Sequence, residues 1–295
     1  MVSTMLDADH AADRARHEAG PPLTVLVPAY NEARTIEELL RRVLDAPPVE
    51  KQVIVVDDGS TDGTWEIVSS WEQCGLVQLV RHHRNWGKGA ALRTGLSQAR
   101  GVFTIVQDAD LEYEPRDYER VLKPLLAGKA QAVYGSRYLT VEARIQGRWR
   151  LLRHGVSLLN LWVRVLYGVR LTDEATCYKA LPTALLRSLD LQCQRFEFCP
   201  EVTAKLCRLG IPIVEVPIRY DPRSKKQGKK LRLRDGWAAI RELWRWRNWT
   251  PGAAAVRVAE DLIRDIHVES RDGQRRGADF SPRAVREASG MEASR

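Results

Sequence analysis

With 295 residues, 44% of them hydrophobic, the chain can bury one large core or two small ones and is too apolar to be a disordered polymer. No apolar run reaches the roughly 18 to 20 uncharged residues that cross a bilayer, and residues 1–20 mix acids and bases without an apolar stretch, so they are read as a loose tail rather than a secretory leader. The net charge of +8 is local: Pro222 to Arg247 holds ten Lys and Arg against Asp235 and Glu242, an excess equal to that of the whole chain, which calls for an anionic partner. Five cysteines without a CxxC pair are expected to be reduced thiols in a cytoplasmic protein.

In chain order, "LTVLVPAY" (Leu23 to Tyr30) reads as a buried strand and "NEARTIEELLRRVLDA" as a helix with Ile36, Leu39, Leu40 and Val43 on one face, stopped by "PP". "KQVIVVDDGSTDGT" repeats the strand and turn, followed by the helical "WEIVSSWEQC". "VQLVRHH" with "GKGAALRTGLSQA" and "GVFTIVQDAD" with "PRDYERVLKPLLA" give two further strand–helix units. "AQAVYGSRY" is a fifth strand. Next comes a helix in "GRWRLLRHGVSLLNLWVRVLYG", whose polar stripe (Arg150, Arg153, Ser157, Asn160, Arg164) is narrow for a core-facing helix. "FCPEVTAKLCRLG" is a helix, "IPIVEVPIRY" the last strand and "LRLRDGWAAIRELWRWRNW" the final helix.

Apolar strands alternating with amphipathic helices predict an α/β domain with a mostly parallel, Rossmann-like sheet flanked by helices and C-terminal amphipathic helices. The expected limits are a tail over 1–20, one domain over 21–250 and a mostly disordered tail over 251–295. In such sheets ligands bind beyond the carboxyl ends of the strands. Asp57 and Asp58 end the second strand, Asp108 and Asp110 the fourth and Arg137 the fifth, so all should meet at one rim. Two carboxylates at i and i+2 suit a hard divalent cation, Mg²⁺ or Mn²⁺, that also binds substrate phosphates, with Glu112 as a third oxygen ligand. Each acid alone could equally cap a helix or form a turn.

The set "VPAYNE", "VVDDGSTDGT", "NWGKGAALRTGL", "QDADLEYEP", "GSRY", "TDEATCYKA" and "EVPIRYDPRSKKQGKK", in this order, closely resembles the inverting glycosyltransferases of family 2, in particular the dolichyl-phosphate mannosyltransferase or polyprenyl-phosphate sugar synthase branch, over roughly residues 23 to 247. The resemblance implies a GT-A fold and a nucleotide-sugar donor, with GDP-mannose first and UDP-glucose next. It places Pro28, Tyr30, Glu32 and Lys88 in the donor pocket and Asp57 and Asp58 at the base and ribose. Asp108, Ala109 and Asp110 become the metal–diphosphate motif, Arg137 a phosphate-binding arginine, and Arg223 and Lys229 part of a loop that closes over the phosphates. Glu112 departs from some relatives, as does Cys177, where relatives often have Gly.

A lipid monophosphate acceptor, with a second pKa near about 6, is already a nucleophile at neutral pH and needs cations rather than a base. Arg137, Arg223, Lys225, Lys226, Lys229 and Lys230 supply them. A sugar hydroxyl acceptor, the alternative for this family, requires a base, for which Asp173 of "TDEAT" is the candidate; helix capping is its other reading. On the last helix Leu233, Trp237, Ile240 and Trp244 form a stripe expected to pack on the domain, whereas Trp246 and Trp249, among Arg245 and Arg247, are expected at an anionic membrane surface. The protein is therefore expected at the inner face of the membrane as a peripheral enzyme, and a membrane partner protein that presents the lipid is compatible with the sequence. A nucleic-acid binder would leave the rim acids unexplained, "NWGKGAA" lacks the P-loop pattern, and His82 is read as a surface histidine.

Overall fold

The computed structural model describes residues 21–139, 150–223 and 233–264. Its elements run β1 (Leu23–Ala29), α1 (Ile36–Asp45), β2 (Gln52–Asp57), α2 (Thr64–Gln73), β3 (Gln78–Arg81), α3 (Lys88–Gln98), β4 (Phe103–Val106), a 3₁₀ turn (Pro115–Asp117) into α4 (Tyr118–Leu126), β5 (Ala132–Ser136), α5 (Arg150–Tyr167), β6 (Lys179–Pro182), α6 (Thr183–Ser188), α7 (Phe198–Arg208), β7 (Ile213–Pro217) and α8 (Leu233–Trp246). The seven strands form one sheet in the order β3-β2-β1-β4-β6-β5-β7. Every pairing is parallel except those of β6, which runs antiparallel to both β4 and β5.

The β-branched runs form central strands because both faces are covered. Side chains alternate across the pleat, so Leu26, Ile54 and Val56 join one core layer while Val25, Val27, Val53 and Val55 join the other. Burying each such side chain contributes about 1.5–3 kcal/mol. Helices α1 and α4 cover one face through Ile36, Leu39, Leu40, Val121 and Leu122, and α3, α6 and α7 cover the other. Helix α3 lies close on the sheet because Gly95 carries no Cβ; a methyl there would sit 3.1 Å from Leu26 Cδ2.

The parallel α/β sheet is as expected. Strand β6 and the short helix α6 escaped the sequence reading: four residues, Lys179–Pro182, with a lysine at one end and a proline at the other, give too short a pattern. β6 sits between β4 and β5 and thereby sets the spacing of their ends. The chain also packs on beyond residue 250, the expected edge of the domain. Residues 253–264 are helical, Ala255 and Ala259 are buried, and Gln131 donates to the Leu262 carbonyl at 3.1 Å. Residues 1–20, 265–295 and the loop carrying Lys225, Lys226, Lys229 and Lys230 lie outside the described residues.

Candidate active site

The carboxyl ends of β1, β2, β4 and β5 open on one cavity of about 400 Å³. Its lining brings together Pro28 at the end of β1 and Tyr30 and Glu32 after it, Asp58 after β2, Lys88 at the start of α3, Asp108, Ala109, Asp110 and Glu112 after β4, Arg137 after β5, and Arg223. Asp57 and Asp173, expected among them, lie behind the wall. The lining also has an apolar part, with Val156 and Leu159 of α5, Phe196, Phe198 and Pro200, and Gly236 and Ala239 of α8.

At the acidic end, the Asp108 carboxylate accepts from the Lys88 ammonium, which also donates to Cys177 Sγ at 3.0 Å. Burial would raise the Asp108 carboxyl, but the Lys88 charge, hydrogen bonds from Cys177 and Lys88 and the Arg223 charge together hold it below its usual value. Asp110 behaves in the opposite way. Burial, then the charges of Asp108 and Glu112, push it up to about 7, with Arg223 offsetting only part of this. Arg223 is the hub of the rim: its guanidinium donates to Glu32 at 3.0 and 3.3 Å and lies 3.2 Å from Asp110 Oδ2. Among the described residues, four carboxylates, Glu32, Asp108, Asp110 and Glu112, thus lie beside Lys88 and Arg223.

Glu112, expected as a third ligand beside the two aspartates, is otherwise engaged. It accepts from the Tyr220 hydroxyl and, at 3.0 Å, from the Arg223 amide. Among the described residues no three acids, cysteines or histidines converge as a metal-holding group. The sequence pattern could not show this, because the competing partners sit about a hundred residues away.

Asp58 and Asp57 organise the rim from beneath. Asp58 accepts from the Trp86 and Gly87 amides at 2.9 and 2.7 Å and contacts His82 Nδ1 at 2.7 Å. Asp57 caps the Ser60 amide at 3.2 Å and lies 3.6 Å from Arg81. The double acid therefore ties the second strand end to the loop that aims Lys88. Gly87, at φ +104°, has no room for a side chain: a Cβ would sit 2.5 Å from the Gln194 carbonyl. His82 is buried rather than on the surface, held between Asp58 and Thr94. The amides of Gly89 and Ala90 bond to the carbonyls of Arg195 and Gln194, so this helix start does not offer the open amide cradle of a P-loop.

Arg137 and Asp173 form a forked pair, Nε to Oδ2 and Nη2 to Oδ1, both at 2.7 Å, and the Arg137 amide adds a third bond to Oδ2 at 3.0 Å. Asp173 is fully buried with both oxygens engaged, so it positions Arg137 instead of standing ready as a base. The guanidinium lies 4.9 Å from the Tyr220 ring centroid and 6.0 Å from that of Tyr113. Tyr113 in turn stacks on Tyr178 at 4.7 Å. This tyrosine wall was within "LEYEP", "CYKA" and "IRYDP", but spacing alone gave no reason to join the three.

Glu174 also lines the cavity and is fully buried. Burial pushes its carboxyl up, and the nearby Lys179 charge offsets this only in part. The folded state therefore holds a proton that the unfolded chain releases near the ordinary value of 4.5. This contribution to stability is present below that value and is lost as pH rises above it. Glu174→Gln is expected to melt like the parent under acid conditions and above it under mildly alkaline ones, a difference calorimetry across pH would read.

Residues 24–182 match the family model described as "Glycosyl transferase family 2". Among curated proteins, the chain is 32% identical over 213 residues to the undecaprenyl-phosphate mannosyltransferase of Micrococcus luteus, a match covering 69% of this chain and 85% of the other. It is 31% identical over 220 residues to the polyprenol monophosphomannose synthase of Mycolicibacterium smegmatis, covering 70% and 82%. Among solved structures it resembles glucosyl-3-phosphoglycerate synthase from Mycobacterium tuberculosis in complex with Mn²⁺, UDP and glucosyl-3-phosphoglycerate. There the TM-score is 0.56 and the identity 23%, over 80% of this chain and 83% of the other, a likeness of fold.

Proposed function

This chain belongs to glycosyltransferase family 2, and we propose that within it the enzyme moves a hexose, with inversion, from GDP-mannose or UDP-glucose to a polyprenyl monophosphate at a membrane surface. The observation that carries this reading is the mixed lining of one cavity: carboxylates with Lys88 and Arg223, together with Val156, Leu159, Phe196, Phe198 and Ala239. The sugar, ribose and diphosphate of a donor have no use for so apolar a surface; an isoprenoid has.

In this reading Pro28, Tyr30, Glu32, Asp58, Lys88 and Ala109 border the nucleotide, and Asp57 braces Asp58. The donor set fits a hard divalent cation, since Asp108 and Asp110 offer carboxylate oxygens two residues apart and burial with the Asp108 and Glu112 charges raises Asp110, which a bound cation would relieve. Asp108 and Asp110 would hold Mg²⁺ or Mn²⁺, which when bound supplies positive charge to the departing diphosphate. Arg137, fixed by Asp173 and the tyrosines, receives the acceptor phosphate. Arg223 exchanges its carboxylate partners for phosphate as substrates enter, and Lys229 joins it. With Asp173 committed to Arg137, a nucleophile that needs no deprotonation suits the site better than a hydroxyl does.

Incubation with each labelled donor, with and without Mn²⁺, against a polyprenyl monophosphate and a panel of sugars and glycerol derivatives tests this. Metal-dependent transfer to the polyprenyl phosphate is expected. Transfer confined to hydroxyl acceptors would overturn it.

A further inference from the structure

Helices α5 and α8, which line the cavity through Val156, Leu159, Gly236 and Ala239, also carry an apolar face outward. On α5, Leu159 and Val163 are buried while Leu158, Leu161 and Val165 are exposed, Val165 at 69%. At 100° per residue these three lie within about 60° of one another, a ridge beside the core-facing side. On α8 the expected orientation holds for Ile240, which packs on the core, but not for the tryptophans, and the Leu233 side chain lies outside the described ones. Ala239, Leu243 and Trp246 face the core, and Trp237, at 72% exposure, and Trp244 face away. The physical reason lies in α7. Small Ala239 faces inward, the Trp246 indole donates to buried Glu242 at 3.1 Å, and the Lys205 ammonium lies 4.1 Å from the Trp246 ring centroid and 5.2 Å from that of Trp249. The tryptophans expected at the membrane are thus packed inside, and those expected inside are presented outward.

Trp162 of α5 and Trp244 of α8 meet edge to face at 6.4 Å, which joins the two exposed faces. Their rim is cationic. Helix α5 has Arg164 and no acid anywhere in its sequence. Helix α8 and the residues after it present Arg241, Arg245 and Arg247, the last with its guanidinium 3.8 Å from the Trp244 ring centroid. The acids of α8 are Asp235 and Glu242, and Glu242 is buried. Exposed Leu, Val and Trp bordered by arginine complement a bilayer with anionic headgroups, where apolar side chains enter the acyl boundary and guanidinium groups stay at the phosphates.

We propose that this α5–α8 face, Leu158, Leu161, Val165, Trp237 and Trp244 with its arginine rim, docks on an anionic lipid bilayer, so that the cavity between the same two helices receives its lipid directly from the membrane. The inference rests on the proposed polyprenyl-phosphate acceptor and adds the surface through which that acceptor is reached. No helix among the described residues is long and apolar enough to cross a membrane, so this face is a peripheral contact in them.

The test is co-sedimentation of the full chain with vesicles of phosphatidylcholine, with and without phosphatidylglycerol, for the parent and for a Leu161→Ser, Val165→Ser, Trp237→Ser variant. All three positions are exposed, so the variant is expected to melt like the parent. Binding of the parent should require phosphatidylglycerol and weaken with salt, and the variant should lose about tenfold or more in partition. The variant should also keep its rate on a short-chain, water-soluble polyprenyl phosphate while losing it on acceptor embedded in vesicles. Equal partition of parent and variant would overturn the docking surface. So would a parent that ignores anionic vesicles, or one that dimerises through this face in solution while the variant stays monomeric. Failure of both proteins on the water-soluble acceptor would instead overturn the acceptor assignment and leave the vesicle result standing.

Discussion

Asp110→Asn is expected to cut sugar transfer about a thousandfold, with thermal stability unchanged or raised. The two effects separate because Asp110 is held where its charge is unwelcome in the ligand-free protein. Burial and the neighbouring Asp108 and Glu112 raise its pKa to about 7. A carboxyl raised in the folded state contributes stability below its unfolded pKa and loses it as pH climbs through the folded one. Above neutrality, then, ionised Asp110 costs the fold, and an isosteric amide removes the cost. A side chain kept against the preference of the fold is the kind of trade that active sites make. Steady-state rates with Mn²⁺ and calorimetry under mildly alkaline conditions check both halves. Loss of activity together with loss of the fold would make Asp110 a structural residue.

Arg137→Met should lower unfolding stability by about 3–5 kcal/mol, because it leaves the fully buried Asp173 carboxylate without its charge partner. Asp173→Leu should cost a similar amount by orphaning the guanidinium. Combining Arg137→Met with Asp173→Leu should recover at least half of that stability, since the two charges are removed together. Transfer to a polyprenyl phosphate should stay depressed about a hundredfold in the double variant, because the cation offered to the acceptor is gone. Denaturant melts and rates on the same three proteins separate the roles. If the double variant regained activity, Arg137 would be scaffold and the phosphate would bind elsewhere.

The sheet was legible because its strands are buried on both faces and read as unbroken β-branched runs ending in acid. Asp58, Asp108, Asp110 and Arg137 were legible as a group for the same reason, since parallel strands must end on one side. What escaped was whatever depends on distant partners. Nothing local tells that Glu112 is claimed by Tyr220 and Arg223, that Asp173 is spent on Arg137, or that Asp57 turns beneath the rim to Ser60. Helix α8 misled because it is apolar on two sides: Trp237 and Trp244 make as good a stripe with Ile240 as Ala239, Leu243 and Trp246 do, although Ile240 itself packs on the core. Only the Lys205–Glu242–Trp246 contacts decide which one faces in.

The most direct test is a crystal of the protein soaked with Mn²⁺ and either sugar nucleotide, read by anomalous scattering. One metal peak is expected between the diphosphate and the carboxylates of Asp108 and Asp110, with Arg223 moved off Asp110. A sugar nucleotide bound outside this cavity, or bound within it with no metal between those aspartates and the diphosphate, would contradict it.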